Sequence, residues 1–196
     1  RFLRLNAGDA ADAFAVVGDV HKISMTHLDL LHQHAQAKPR FELMLMLFIT
    51  TGLRIGGLAN IRIAGVAQVG PGGEYHVRET GTTIEKGNKI VPFPLTTRAQ
   101  RLILRWLQEQ RPASASPYLF PARLGSGPIS TQTIRDDFKS VCKDAGLKGP
   151  EFHPHSLRHT FAHMLLNHGN ALDVVSNCLN HSSTAITERF YLRENM

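Results

Sequence analysis

Cysteine is scarce in this sequence: Cys142 and Cys178 are the only two in 196 residues, and neither lies in a CxxC motif. Two such residues do not build a disulfide framework, so a reducing compartment is the simpler setting, and both read as buried apolar fillers. Long apolar runs are missing as well. The longest, Leu43 to Ile49, falls far short of the roughly 20 residues that cross a bilayer, which argues against a membrane partner. The opening Arg1-Phe2-Leu3-Arg4 lacks the extended apolar region of a signal peptide. Acidic residues are outnumbered, 16 against 22 Lys and Arg, leaving a formal charge of +6 that eleven histidines increase at lower pH. That balance favours a polyanionic partner such as nucleic acid. Against these shortages stands a hydrophobic content of 42%, enough for a proper core in one large domain or a domain with a small appendage.

The apolar pattern divides the chain into helical ends and an extended middle. Residues 9 to 36 suggest one or two short helices, with Thr26 as an N-cap for Leu28, Leu30 and Leu31. Phe41 to Thr50 is apolar on more than one face, which predicts a helix at the centre of the core, ended by Gly52. Arg54 then opens a short helix through Leu58. In the middle, Ile61 to Ile63, Tyr75 to Arg78 and Lys89 to Leu95 alternate or carry β-formers, with Gly81 and Glu85 to Asn88 marking turns. The expectation is a small three-stranded antiparallel sheet whose last strand, holding Pro92 and Pro94, is short or at an edge. Helical signal returns at Thr96 and carries the stripe Leu102, Ile103, Trp106 and Leu107 up to Pro112. A loop rich in Pro, Ser and Gly leads to a helix capped by Ser130 or Thr131. Further helices are predicted at about 156–167, 172–179 and 183–191. The fold class is α+β, mainly helical.

Chemistry-bearing residues concentrate in the last fifty positions. His155 and Arg158 are three apart and so share a helix face. His181 and the pair Phe190-Tyr191 follow, while Arg54 and Lys86 stand far upstream. Arginine can hold two phosphate oxygens at once, histidine can share a proton, and a phenol can attack phosphorus. Taken singly, each has a bland explanation: Arg54 as an arginine snorkelling from a helix end, Lys86 as a solvated turn lysine, His155 and Arg158 as a structural pair. A rival pattern is His155, His159 and His163 at i, i+4 and i+8, preceded by His153, a spacing able to bind zinc and suited to a zinc-dependent hydrolase. No cysteine or carboxylate pairs with these histidines in sequence, so no metal site is assigned. Arg98, Arg101, Arg105 and Arg111 are candidates for DNA-backbone contact, with a solvated helix face the better reading for at least half.

Five stretches occur in one order: TGLRIGGL (51–58), EKGNKIVPFPL (85–95), HPHSLRHTFAHMLLNHG (153–169), LNHSS (179–183) and TERFYLR (187–193). Together they resemble the catalytic domain of the tyrosine recombinase, or phage integrase, family, over nearly the whole chain from about residue 26. The resemblance implies that Arg54 and Arg158 clamp the non-bridging oxygens of a scissile phosphate. It implies that Lys86, with Lys89 as the fallback, protonates the departing 5′ oxygen. His155 would assist proton transfer at the nucleophile, and His181 would hydrogen-bond a phosphate oxygen. The implied reaction forms a 3′-phosphotyrosine and needs neither ATP, metal nor other cofactor. The implied partner is double-stranded DNA, with a homotetramer during recombination and a monomer in isolation. The implied location is the cytoplasm or nucleoid, or a nucleus in a eukaryote. Residues 1–196 would form the catalytic domain, with the family's N-terminal DNA-binding domain outside this chain.

Two positions depart from the family pattern. An acidic residue usually follows the first arginine by three positions; here that position is Gly57, so Arg54 must be positioned by other groups. The nucleophile generally lies nine residues beyond the second histidine, which is Phe190, with Tyr191 one step further. One residue on a helix is a rotation of about 100°. Three readings stay open: Tyr191 is the nucleophile with one residue absorbed in the 182–185 turn, or a tyrosine at 190 has been replaced by phenylalanine, or the chain is a catalytically inactive DNA-binding relative.

Overall fold

Proline at position 39 opens the helix around which the rest is assembled. The computed structural model describes residues 22–85 and 87–179. Helix α2 (Pro39–Thr51) places proline in its first turn, where the missing N–H has no intrahelical partner to lose. Phe41 and every residue from Leu43 to Phe48 are buried, so no face of this stretch is left for water. Neighbours cover it on all sides: α1 (Met25–Ala35), α5 (Thr97–Arg105) and α7 (Pro154–Asn167) pack against it. Phe41 meets Phe138 of α6 (Thr131–Asp144) edge to face, with ring centroids 5.9 Å apart. Beside that contact Arg40 donates two hydrogen bonds to the Asp137 carboxylate, each at 3.0 Å. The planar fork of the guanidinium matches the two carboxylate oxygens and fixes α6 against α2.

Between these helices lie the short α3 (Ile55–Ala59) and α4 (Ile63–Val66), then strands β1 (Ala67–Val69), β2 (Tyr75–Val77), β3 (Thr80–Glu85) and β4 (Lys89–Pro94). The last described helix is α8 (Leu172–Cys178). The mainly helical α+β class stands, but the sheet is not the expected three-stranded one. Among the described residues there are two separate antiparallel ladders, β1 with β2 and β3 with β4. Ile61 to Ile63 is not a strand, because Ile63 already begins α4 and only Arg62 makes an isolated bridge, to Tyr118. Gly81 is not a turn either. It sits inside β3 opposite Phe93, whose ring lies 2.4 Å from where a Cβ on residue 81 would be. The glycine leaves the space into which the aromatic ring folds.

Smaller corrections have local causes. The N-cap of α1 is Ser24, whose Oγ accepts from the His27 amide at 3.2 Å, while Thr26 lies inside the first turn. Helix α5 begins as expected after Thr96, but its stripe ends in a π-helical turn, Trp106–Gln110, closed by the Arg111 amide donating to the Trp106 carbonyl at 2.7 Å. Trp106 is buried there and donates from Nε1 to the Leu119 carbonyl at 2.9 Å. Ser130 caps α6 by accepting from the Thr133 amide. The helix expected at 183–191, and any element before residue 22, lie outside the described residues.

Candidate functional site

The site is built where α2 ends. Gly52 closes this helix in the left-handed conformation, φ +61°, which glycine adopts at no steric cost. Leu53 then turns into the core, 4% exposed, and Arg54 is the extended residue that starts α3. Within three residues the chain has reversed from a buried helix end to an arginine with 43% of its side chain accessible. Arg54 Nη1 donates to Glu85 Oε2 at 2.6 Å, and that carboxylate, on the last residue of β3, is 8% exposed.

Arg158 approaches the same turn from α7. His153 is the N-cap of this helix, its ring accepting from the Ser156 amide, and Pro154 occupies the first turn. Arg158 lies little more than one turn further on, is 5% exposed, and donates from Nη1 to the Gly52 carbonyl at 2.6 Å. Its Nη2 donates to the Leu179 carbonyl, at the end of α8. A buried guanidinium needs such acceptors, and these two are carbonyls left over at helix ends. Arg158 therefore joins the ends of α2 and α8 to α7.

His155 stands exposed on the first turn of α7. Its ring is stacked with His153 at 6.4 Å between centroids and meets His159 edge to face at 4.7 Å. Of the histidines in the zinc-like pattern, His155 and His159 thus meet as rings, with His153 stacked beside them. Among the described residues no group of three or more His, Cys, Asp or Glu is placed to hold a metal ion.

Two cavities flank the Arg54 turn. One, of about 780 Å³, is lined by Ile55 and His155 together with basic residues of α6, Arg135 and Lys139 among them. The other, of about 380 Å³, is lined by Leu53, Glu85, Lys89, Arg158 and Cys178. The residues on either side of Arg54 thus face different cavities, with the histidine on one side and the buried arginine on the other. Lys89, the fallback for Lys86, is in the second. Lys86, His181, Phe190 and Tyr191 lie outside the described residues.

Several basic residues considered for DNA contact also have partners within the protein, Arg98 and Arg105 while remaining exposed. Arg105 donates to the buried Glu42 carboxylate at 2.5 Å, and Arg111 to the carbonyls of Ser116 and Tyr118 at 2.7 and 3.0 Å. Arg98 contacts the His32 ring. Glu85 is the residue that sequence reasoning missed. The vacancy of a carboxylate at Gly57 was the signal that a substitute had to come from elsewhere, but nothing in the sequence indicated the strand that supplies it.

A mainly helical α+β domain that joins two arginines at the end of its central helix, beside a helix bearing histidines, has the form of a tyrosine recombinase catalytic domain. The chain belongs to the phage integrase family, whose model matches residues 24–196. It is 34% identical over 155 residues to tyrosine recombinase XerD of Rhizobium meliloti (strain 1021), covering 78% of this chain and 47% of that protein. It is 33% identical over 153 residues to tyrosine recombinase XerC of Staphylococcus haemolyticus (strain JCSC1435), covering 77% and 48%. The chain thus spans about half the length of the curated relatives it matches. Its fold is that of the XerA recombinase crystal structure, with a TM-score of 0.73 at 22% identity over 89% of this chain and 63% of the other. The XerH site-specific recombinase in a pre-cleavage complex with its difH substrate gives 0.69 at 20% identity, covering 89% and 51%.

Proposed function

We propose that this chain is the catalytic domain of a site-specific DNA recombinase that breaks and rejoins strands through a phosphotyrosine. The observation that supports this reading is the hydrogen bond from Arg158 to the Gly52 carbonyl, which ties the buried arginine of α7 to the turn that leads into Arg54. In the reaction the Tyr191 phenol oxygen attacks phosphorus and its proton passes to His155. The bond from phosphorus to the 5′ oxygen breaks, and Lys86 protonates the leaving oxygen. Arg54 and Arg158 hold the non-bridging oxygens as negative charge builds on them, and His181 adds a hydrogen bond. A 5′-hydroxyl from a partner strand then attacks the phosphotyrosine and returns the phenol. The bond energy is retained throughout, so no cofactor enters the scheme. Four protomers on two duplexes perform the exchange, and the whole chain acts as one catalytic unit beside a separate DNA-binding domain. The location is wherever that DNA lies, in a bacterium the nucleoid.

The test is covalent capture on nicked duplexes selected for binding from a randomised pool. An adduct that forms in the presence of chelator and disappears in Tyr191→Phe is the expected result. DNA binding without any adduct overturns strand cleavage by this chain. An adduct gained in Phe190→Tyr would instead assign the nucleophile to position 190.

A further inference from the structure

Gly57 and Glu85 occupy one space between them. A Cβ built on Gly57 would lie 3.0 Å from Glu85 Oε1 and 3.3 Å from its Cγ, so the carboxylate fills the volume that a side chain at 57 would need. The neighbouring Gly56 has nothing within 4 Å, which makes the crowding specific to position 57. Glycine inside a helix costs about 1 kcal/mol relative to alanine, so a glycine held against a neighbouring side chain points to a packing requirement. The frame around this contact is firm. Thr83 Oγ1 donates to the Gly57 carbonyl at 2.6 Å, and Asn60 Nδ2 donates to the Ile84 carbonyl at 3.3 Å, tying α3 to β3 at two points. From this frame Glu85, nearly buried, presents Oε2 to Arg54 Nη1, while much of the Arg54 side chain stays accessible.

We infer that Glu85 is the positioning residue for Arg54, supplying from the end of β3 the carboxylate that position 57 lacks. The inference rests on the strand-cleavage reading for its consequence, though not for its geometry. A nearly buried carboxylate at the end of a strand that is tied to α3 restricts the rotamers of the guanidinium paired with it. The next residue in sequence is Lys86, so the same ion pair ties the first arginine to the strand end directly before that lysine. An ordinary surface pair would contribute little to stability and nothing to rate.

The experiment moves the carboxylate. Glu85→Ala, Glu85→Gln and the double variant Glu85→Ala/Gly57→Glu are compared with the unaltered chain in single-turnover adduct formation at saturating DNA. Melting curves and the Arg54 side-chain Nε–H signal in DNA-free protein are recorded beside it. Glu85→Ala is expected to slow adduct formation at least about ten-fold with DNA affinity little changed, as for lost preorganisation. Its Arg54 signal should shift and broaden. The double variant, in which the freed space admits a new side chain on α3, should regain most of the rate and the signal. A Glu85→Ala chain that cleaves at the unaltered rate overturns the inference. So does a double variant that melts normally but recovers neither readout. If the double variant does not fold, the near-isosteric Glu85→Gln decides: the unaltered rate and signal overturn the inference, and slowed adduct formation with a shifted signal supports it. If the unaltered chain forms no adduct, cleavage fails as a function, and the Arg54 signal alone decides the positioning role: unchanged in Glu85→Ala overturns it, shifted supports it.

Discussion

The Phe161 ring lies where a side chain on Gly52 would be: a Cβ at residue 52 falls 2.3 Å from Phe161 Cδ1 and 3.1 Å from Leu179 Cδ2. With φ at +61°, the position resists substitution twice over, by conformation and by space. Gly52→Ala should therefore lower stability by about 2–4 kcal/mol, from left-handed strain and overpacking together. Urea denaturation checks this. Phe161→Leu should relieve part of the loss, so the two changes combine non-additively by about 1 kcal/mol or more. Additive effects would show that the ring is not the obstacle.

The two arginines should separate stability from activity. Arg158 is buried and bonded to two carbonyls, so Arg158→Ala strands both and should cost about 2–4 kcal/mol as well as abolish adduct formation. Arg54 is 43% accessible and its removal strands only the Glu85 carboxylate, so Arg54→Ala should cost less stability than Arg158→Ala. Its adduct formation should nonetheless be lost. Denaturation midpoints measured with covalent capture distinguish the two, and equal destabilisation would contradict the assigned burial.

His32 predicts a pH dependence with a definite sign. Burial, and then the neighbouring Arg98 guanidinium, lower its pKa below the ordinary 6.5, against weaker opposing pulls from Glu42 and Asp29. The unfolded chain therefore binds this proton more readily than the folded one. The stabilising contribution is present above pH 6.5 and is lost as pH falls through the lower, folded value. In His32→Gln, the decline of the urea midpoint between pH 7 and the acid side should be shallower than in the unaltered chain. Parallel curves would refute the assignment.

The cysteines should differ in reactivity. Burial pushes the Cys142 thiol up to about 12, and only 4% of the residue is exposed. Thiolate is the reactive form, so Cys142 should resist alkylation at pH 8 until the protein is unfolded. Cys178 is exposed, although burial raises its pKa as well, and should be alkylated in the native state more slowly than a free thiol. Peptide mass mapping after a timed exposure to iodoacetamide reads both sites.

What the sequence made legible follows from how local each signal was. The 41–50 helix, its stop at Gly52 and the start of a new helix at Arg54 were readable because apolar spacing, a terminal glycine and the residue after it act within a few positions. The expected helix at 156–167 is longer by two residues at its start, where His153 and Pro154 form the cap. The sheet was misread because its decisive contact is between distant residues: Phe93 makes Gly81 a strand residue rather than a turn. Basic residues on α5 looked available because charge on a helix face suggests solvent, yet Arg105 answers a carboxylate 63 positions away. The same limit hid Glu85. An empty position at 57 was visible in the sequence, but a replacement 28 residues later on a different element was not.

The bond from Arg158 to the Leu179 carbonyl gives the C-terminal segment a fixed origin. In sequence, His181 and the aromatic pair follow a residue whose carbonyl is fastened to a buried guanidinium. Under the proposed mechanism, the number of residues between Leu179 and the nucleophile is then a count of chain length from that fastened point.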